Sequence, residues 1–469
     1  MVSKKSVKQV LAEDREMDFE KFRKDVEKVD KKINAVRSKN LEIKSKEGRL
    51  KGLPISAKDN ICVKGFNATA GSKILESYSP QFDATAVKRL KDKGANFFAK
   101  TNQDEFGFGT FSTNSAYETP KNPYDTERVT GGSSGGAAAL TAALTEPHIA
   151  LGQSTGGSIS NPAAFCGVVG FTPTYGRVSR YGLIDYANSL DKIGSLAKTV
   201  EDAAMALDII SGHDKKDFTT SKKSYKGLED VPAEVDGMKI GVPKQYMEFE
   251  GMDERVRKKV WESIKMFEDL GGEVEEVSLP KVGKDFVIPS YYITAISEAS
   301  TNLARYCGMR YGLEDNPEKK SFDDYFSEIR SKGFGKEVKR RVLLGHFARQ
   351  EGLRESYYLK ALKVRRLIIE EYKEAFKEYD ILASPTMPIT APRFDEADKL
   401  EPVEVYAMDT LTVGPNFAGL PQLSVPCGTV DKMPVGLHLL GNHFEERKLV
   451  RAGKAFEKSF GQIKRPEVR

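Results

Sequence analysis

Gly131-Gly-Ser-Ser-Gly-Gly136 and Ser154-Thr-Gly-Gly-Ser-Ile-Ser160 are the stretches on which this sequence turns. Ser133 and Ser158 stand 25 residues apart, each with a glycine before it. Serines so placed suit acyl transfer. Small neighbours let a carbonyl compound reach the hydroxyl, and they leave backbone N–H groups free to hold an oxyanion. Upstream, Gly52-Leu-Pro-Ile-Ser-Ala-Lys58-Asp-Asn-Ile sets a single lysine in an apolar segment. Neither cluster has the G-x-x-x-x-G-K-[ST] spacing of a phosphate loop. Together the three segments read as a nucleophile loop with a basic partner.

Composition narrows the class. The chain has 469 residues, 39% of them hydrophobic, which suffices for a large core. Lysine and arginine number 73 against 68 acids, a balance of +5 that gives no nucleic-acid footprint by itself. No apolar run reaches the 18 or so residues of a membrane span, and the start Met-Val-Ser-Lys-Lys-Ser-Val-Lys lacks a secretory apolar region. Cys62, Cys166, Cys307 and Cys427 have no C-x-x-C spacing, and they read as reduced thiols in a cytoplasmic protein. The five histidines show neither H-E-x-x-H nor H-x-x-x-H, so no metal is expected.

Outward from the clusters, periodicity alternates between strand and helix. Val10-Leu11, Phe19, Phe22, Val26, Val29 and Ile33 recur at helical spacing in a charged lead-in over residues 1–49. Helices are predicted over 85–93, 137–144, 200–211, 253–270 and 354–378, and strands at 238–243, 274–280 and 380–385. Residues 213–236, rich in Asp, Lys and Ser, read as a mobile surface excursion. The alternation argues for an α/β fold, a mixed β-sheet core flanked by helices on both faces, over residues 50–469.

The two clusters continue into Asn161-Pro-Ala-Ala-Phe-Cys-Gly-Val-Val-Gly170 and Ser189-Leu-Asp-Lys-Ile-Gly194, and later into Asn416-Phe-Ala-Gly-Leu-Pro-Gln-Leu-Ser-Val-Pro426. In these motifs the chain resembles the amidase signature family over roughly residues 50–450. Pro289-Ser-Tyr-Tyr-Ile, Gly333-Phe-Gly-Lys-Glu-Val-Lys-Arg-Arg-Val and Tyr406-Ala-Met-Asp409 place it nearest the A subunits of glutamine-dependent aspartyl/glutamyl-tRNA amidotransferases. The resemblance implies a Ser–cisSer–Lys triad: Ser158 as nucleophile, Ser133 as relay after a cis Gly132–Ser133 bond, and Lys58 as base. It implies an oxyanion hole from the N–H groups of Thr155, Gly156, Gly157 and Ser158. Glutamine would be held by Arg341 on its carboxylate, Asp409 on its ammonium and Tyr291 at the pocket wall, with Arg340 and Tyr292 as adjacent competitors.

The implied activity is a glutaminase that supplies ammonia for amidation of Asp-tRNA or Glu-tRNA; a stand-alone amidase is the alternative. The implied partners are a transamidase B subunit, which would carry ATP and Mg2+ and most of the tRNA contact, and a small C subunit. No cofactor is expected in this chain. Lysine, with an unperturbed pKa of about 10.4, acts as a base only if neutralised, and burial among Leu53, Pro54, Ile55, Ile61 and Val63 would lower it. Two positions depart from the family pattern, Ser154 standing for an acid and Ser160 for an arginine. Lost as a pair, these charges leave a loop expected to be held by hydroxyl and backbone hydrogen bonds.

Overall fold

The computed structural model describes residues 6–7, 11, 18–43, 46–223, 227–316, 318 and 320–467. Eleven strands form one mixed sheet in the order β1-β3-β2-β4-β6-β5-β10-β11-β9-β7-β8. They are β1 (Val36–Lys39), β2 (Pro54–Lys58), β3 (Asn96–Thr101), β4 (Ile149–Ser154), β5 (Val169–Thr172), β6 (Lys192–Ala197), β7 (Lys239–Pro243), β8 (Glu273–Val277), β9 (Ile381–Pro385), β10 (Gln422–Val430) and β11 (Met433–Gly441). Strands β3, β2 and β4 are parallel neighbours, so their carboxyl ends lie along one edge of the sheet. Open α/β sheets bind ligands outside that edge.

Side-chain alternation sends successive residues to opposite faces, and the core divides accordingly. Ile149 and Leu151 of β4 join a cluster under α2 (Thr85–Asp92), α5 (Val200–Ile210), α6 (Glu254–Asp269) and α11 (Glu446–Phe460), whereas Ala150 joins one under α1 (Phe19–Ile33), α3 (Gly135–Ala143) and α4 (Ser160–Cys166). Further along, Ile381 and Ala383 face the first cluster. Leu382 faces a third, with α7 (Lys284–Asn302), α8 (Lys336–Arg349), α9 (Lys360–Glu378) and α10 (Thr410–Phe417). Both faces are thus covered by helices, as the alternation predicts.

Helix α3 has every residue buried, which its Ala/Gly composition permits: small side chains let a helix approach the sheet closely. Helix α1 buries the predicted stripe Phe22, Val26, Val29 and Ile33. Val10 lies outside the described residues. The lead-in also supplies β1, unforeseen in the sequence, which pairs antiparallel with β3. Of the mobile excursion predicted over 213–236, residues 224–226 lie outside the described residues, and the rest is pinned at several points: Asp214 accepts hydrogen bonds from Thr85 (2.5 Å) and Ser179 (2.6 Å), and Leu228, Val231 and Val235 are buried. The helix predicted over 354–378 is α9 preceded by a π-helical turn, Glu355–Leu359. Among the described residues no helix is long and apolar enough to cross a membrane.

Candidate active site

Three parallel strands deliver the polar residues of the site at their carboxyl ends. Lys58 closes β2, Gln153 is the penultimate residue of β4, and Asp104 follows β3. Lys58 is fully buried, and its Nζ lies 2.7 Å from Ser133 Oγ, 2.9 Å from the Gln153 carbonyl oxygen and 3.1 Å from Gln153 Oε1. Burial pulls its pKa down to about 7, and the nearby carboxylates Asp104 and Asp191 work against that fall. Within β2 its neighbours Ile55 and Ala57 join the core cluster, and its Nζ bonds to the polar atoms of Ser133 and Gln153.

Ser133 precedes α3 and follows a cis Gly132–Ser133 peptide bond, as the motif implied. Beside it, Ser134 Oγ donates to the Gln153 carbonyl oxygen at 3.2 Å. Ser158 lies between β4 and α4 and is 7% exposed. Among the described residues no hydrogen bond joins Ser133 to Ser158, so the second link of the expected relay is open here. Such links often tighten only around a bound substrate. The N–H groups of Thr155, Gly156, Gly157 and Ser158 donate to no described protein acceptor. The turn's conformation is fixed instead through its carbonyls: Asn416 Nδ2 donates to Thr155 O, and Asn161 N donates to Gly157 O at 2.8 Å. Ser154 Oγ donates to Gly156 O at 3.0 Å. That is the hydroxyl bond expected of Ser154, whereas Ser160, also buried, leaves its Oγ without a partner.

The pocket wall comes from later helices. Arg341 of α8 is only 4% exposed, with Nε 2.8 Å from Glu337 Oε1 and Nη1 2.7 Å from Tyr186 Oη. Its guanidinium lies 5.2 to 5.9 Å from the ring centroids of Phe108, Tyr186, Tyr292 and Tyr406. Its neighbour Arg340 pairs with the other oxygen of the same Glu337 at 2.5 Å and is 34% exposed. Asp409 caps α10 and is buried. Its Oδ2 accepts from Thr110 Oγ1 (2.7 Å) and Tyr292 Oη (3.1 Å), and its Oδ1 has no hydrogen-bond partner. Burial raises the pKa of Asp409 to about 6, opposed by the hydrogen bonds of Thr110 and Tyr292 and by the Arg341 charge.

Both tyrosines of α7 take part. Tyr292 holds Asp409, and Tyr291 packs its hydroxyl against the 155–158 turn, where a Cβ on Gly156 would come within 2.8 Å of it. Thr110 ties wall to loop. Its carbonyl accepts from Gly132 N (2.7 Å) and Asn161 Nδ2 (2.8 Å) while its hydroxyl serves Asp409. Thr110, Gln153, Asp191 and Glu337 were not found by sequence reasoning. Isolated polar residues carry no periodic signal, though Asp191 lies inside one of the family motifs and Glu337 inside another.

Comparison with known proteins gives concordant matches. A family profile described as Amidase covers residues 7–450. The chain is 48% identical over 412 residues to the A subunit of glutamyl-tRNA(Gln) amidotransferase from Methanococcoides burtonii, covering 88% of this chain and 85% of that one. To the protein of the same description from Halothermothrix orenii it is 44% identical over 461 residues, with 96% and 95% coverage. The crystal structure of the glutamyl-tRNA(Gln) amidotransferase A subunit from Thermotoga maritima superposes with a TM-score of 0.85 at 37% identity, covering 99% of this chain and 98% of that one.

Proposed function

This chain belongs to the Amidase family, and from that premise we propose that it is the glutamine-hydrolysing A subunit of a tRNA-dependent amidotransferase. The observation that carries the reading is the pair formed by Arg341 and Asp409. A buried guanidinium beside the Tyr292 ring and a buried carboxylate on the Tyr292 hydroxyl, with one unpartnered oxygen, lie next to the loop that would hold the nucleophile. Buried groups of opposite charge suit a zwitterion's α-carboxylate and α-ammonium. An apolar amide offers neither.

Lys58, of which about half is neutral at pH 7, accepts in that form the Ser133 proton while Ser133 takes that of Ser158, and Ser158 Oγ attacks the carboxamide carbon. The oxygen that turns anionic is met by the N–H groups of the 155–158 turn, each such donor being worth about 2.7–4 kcal/mol. The proton returns along the same path to the leaving nitrogen, and ammonia departs. Water then attacks acyl-Ser158 by the reverse relay and releases glutamate. The ammonia serves a partner that activates tRNA-bound aspartate or glutamate with ATP and Mg2+, with a small third subunit completing the complex. No cofactor takes part in this chain's own step.

The test compares two amides. Asp409→Asn and Arg341→Ala should each lower kcat/KM for glutamine by roughly 100-fold, because each leaves a substrate charge unpaired in a desolvated site. Turnover of propionamide, which has no charge, should change less than about threefold, on the same argument. Equal losses on both amides would overturn the glutamine reading in favour of an amidase acting on some other small amide.

A further inference from the structure

Gln153 places both of its oxygens on the same amine. The backbone carbonyl lies 2.9 Å and Oε1 3.1 Å from Lys58 Nζ. The third neighbour of Nζ is Ser133 Oγ at 2.7 Å. A neutral amine has two hydrogens and one lone pair, and carbonyl oxygens only accept. With the two hydrogens taken by Gln153, the lone pair is left for the Ser133 hydroxyl, which must then donate. We propose that Gln153 is the positioning residue that sets the direction of the Lys58–Ser133 hydrogen bond, and so the direction in which the proton leaves Ser133.

The orientation of the Gln153 amide follows from its own partners. Its Nε2 lies 3.0 Å from Asp191 Oδ1 and 2.7 Å from Thr155 Oγ1, and Thr155 Oγ1 donates to the same Asp191 oxygen at 2.6 Å. Asp191 in turn accepts from the N–H groups of Tyr186 (2.9 Å) and Ala187 (3.0 Å), so its carboxylate is fixed by the backbone. On the other side Asn60 Nδ2 donates to Gln153 Oε1 at 3.2 Å. Acceptors surround the nitrogen and donors surround the oxygen, so a flipped amide would face like against like at both ends. The chain Asp191–Gln153–Lys58 therefore joins the oxyanion turn, through Thr155, to the base. The charged groups facing Lys58 are Asp104 and Asp191. The carboxylate of Asp59 turns away, to Thr69, Gly71 and Lys100.

This inference rests on the acyl-transfer reading of the site but not on glutamine, and the experiment separates the two. The readout is the pH dependence of Ser158 labelling by a fluorophosphonate, followed by mass spectrometry on the full chain, together with KM for glutamine. Gln153→Glu replaces the amide nitrogen by oxygen, keeps an oxygen on Lys58, and stabilises the ammonium by its negative charge. The acid limb of the labelling profile should move up by about one pH unit or more, with KM for glutamine within about twofold of the parent, because the substrate-binding groups are untouched. Gln153→Met keeps the bulk and removes the acceptor. Its acid limb should move down and its plateau should fall about tenfold or more, as for loss of a general-base alignment. Thermal melting within a few degrees of the parent, in either variant, makes the comparison valid. Profiles of either folded variant that coincide with the parent's would overturn the proposal. A parent protein that is not labelled at Ser158 would overturn the acyl-transfer reading with it, whereas normal labelling without glutamine turnover would overturn only the choice of substrate.

Discussion

At the scale of the residue, the site places two titrations at neighbouring pH. Lys58 must be neutral to accept a proton, and with its pKa near 7 the rate of acylation should rise with pH through that value and level off above it. Asp409 must be ionised to pair with an ammonium, and its pKa near 6 means that KM for glutamine should climb as pH falls below about 6. Propionamide should show the first dependence and lack the second; a single shared limb for both amides would refute the division of roles. Ser158→Ala and Lys58→Ala should each abolish glutaminase activity while circular dichroism stays that of the parent. Labelling of a cysteine instead of Ser158 by an electrophilic glutamine analogue would displace the proposed nucleophile. All four cysteines are free, and Cys62, Cys166 and Cys427 are buried thiols whose pKa burial pushes up. That makes them poor competitors. Much of this candidate site was legible. Serines among glycines are weak evidence alone, since turns and phosphate cradles use the same residues, but the two clusters together with the lysine in its apolar segment marked out the residues that the fold gathers here. The supporting residues were not legible: Gln153, Thr110 and Glu337 act by where the fold puts their side chains, and no spacing in the chain encodes that.

At the scale of the element, the pocket wall depends on how closely α7 and α8 pack. Gly345 of α8 sits where a Cβ would lie 1.9 Å from the carbonyl oxygen of Ile296 in α7. Backbone cannot yield as a side-chain tip can. Gly345→Ala should therefore push the helices apart, costing about 1–3 kcal/mol as overpacking does, measurable by urea unfolding. Because α7 carries Tyr291 and Tyr292 and α8 carries Arg341, KM for glutamine should rise in the same variant. Unchanged stability and KM would mean that the helix pair is not held at this contact. Helices with a clear apolar stripe, such as α1 and α6, were read correctly because their periodicity is the cause of their burial. The four-residue edge strand Val-Arg-Ser-Lys escaped notice, since its charges are tolerated only by its place at the rim of the sheet. The hairpin β10–β11 was read only in part, its first strand as part of a motif and its second not at all. Its turn is made by Asp431 and Lys432, both at positive φ, without the Asn-Gly or Asp-Gly pair that usually marks such turns.

At the scale of the whole molecule, a glutaminase subunit releases a product that is useful only if it reaches the acceptor before protonation or dilution. The isolated chain should hydrolyse glutamine slowly. Adding the transamidase and small bridging partners from the same host should raise turnover and yield a single complex on size exclusion. Failure of the three chains to co-elute would count against the proposed assembly. The α/β class could be read from the chain because strand and helix signals alternate along it, but the strand order could not. β10 and β11, late in the chain, come to lie between β5 and β9 through contacts that are non-local and leave no mark in a short window of sequence.

Lys58, Ser133, Gln153, Ser158 and Asp191 all precede β6, whereas Tyr291, Arg341 and Asp409 all come from α7 onward. On the proposed reading, what breaks the amide and what chooses the amide are thus written in separate lengths of the chain, which meet at contacts such as Thr110 with Asp409, Tyr186 with Arg341 and the Gly156–Gly157 turn. Descent can revise the diet of such an enzyme by editing the later length alone, leaving the bond-breaking apparatus to be inherited intact.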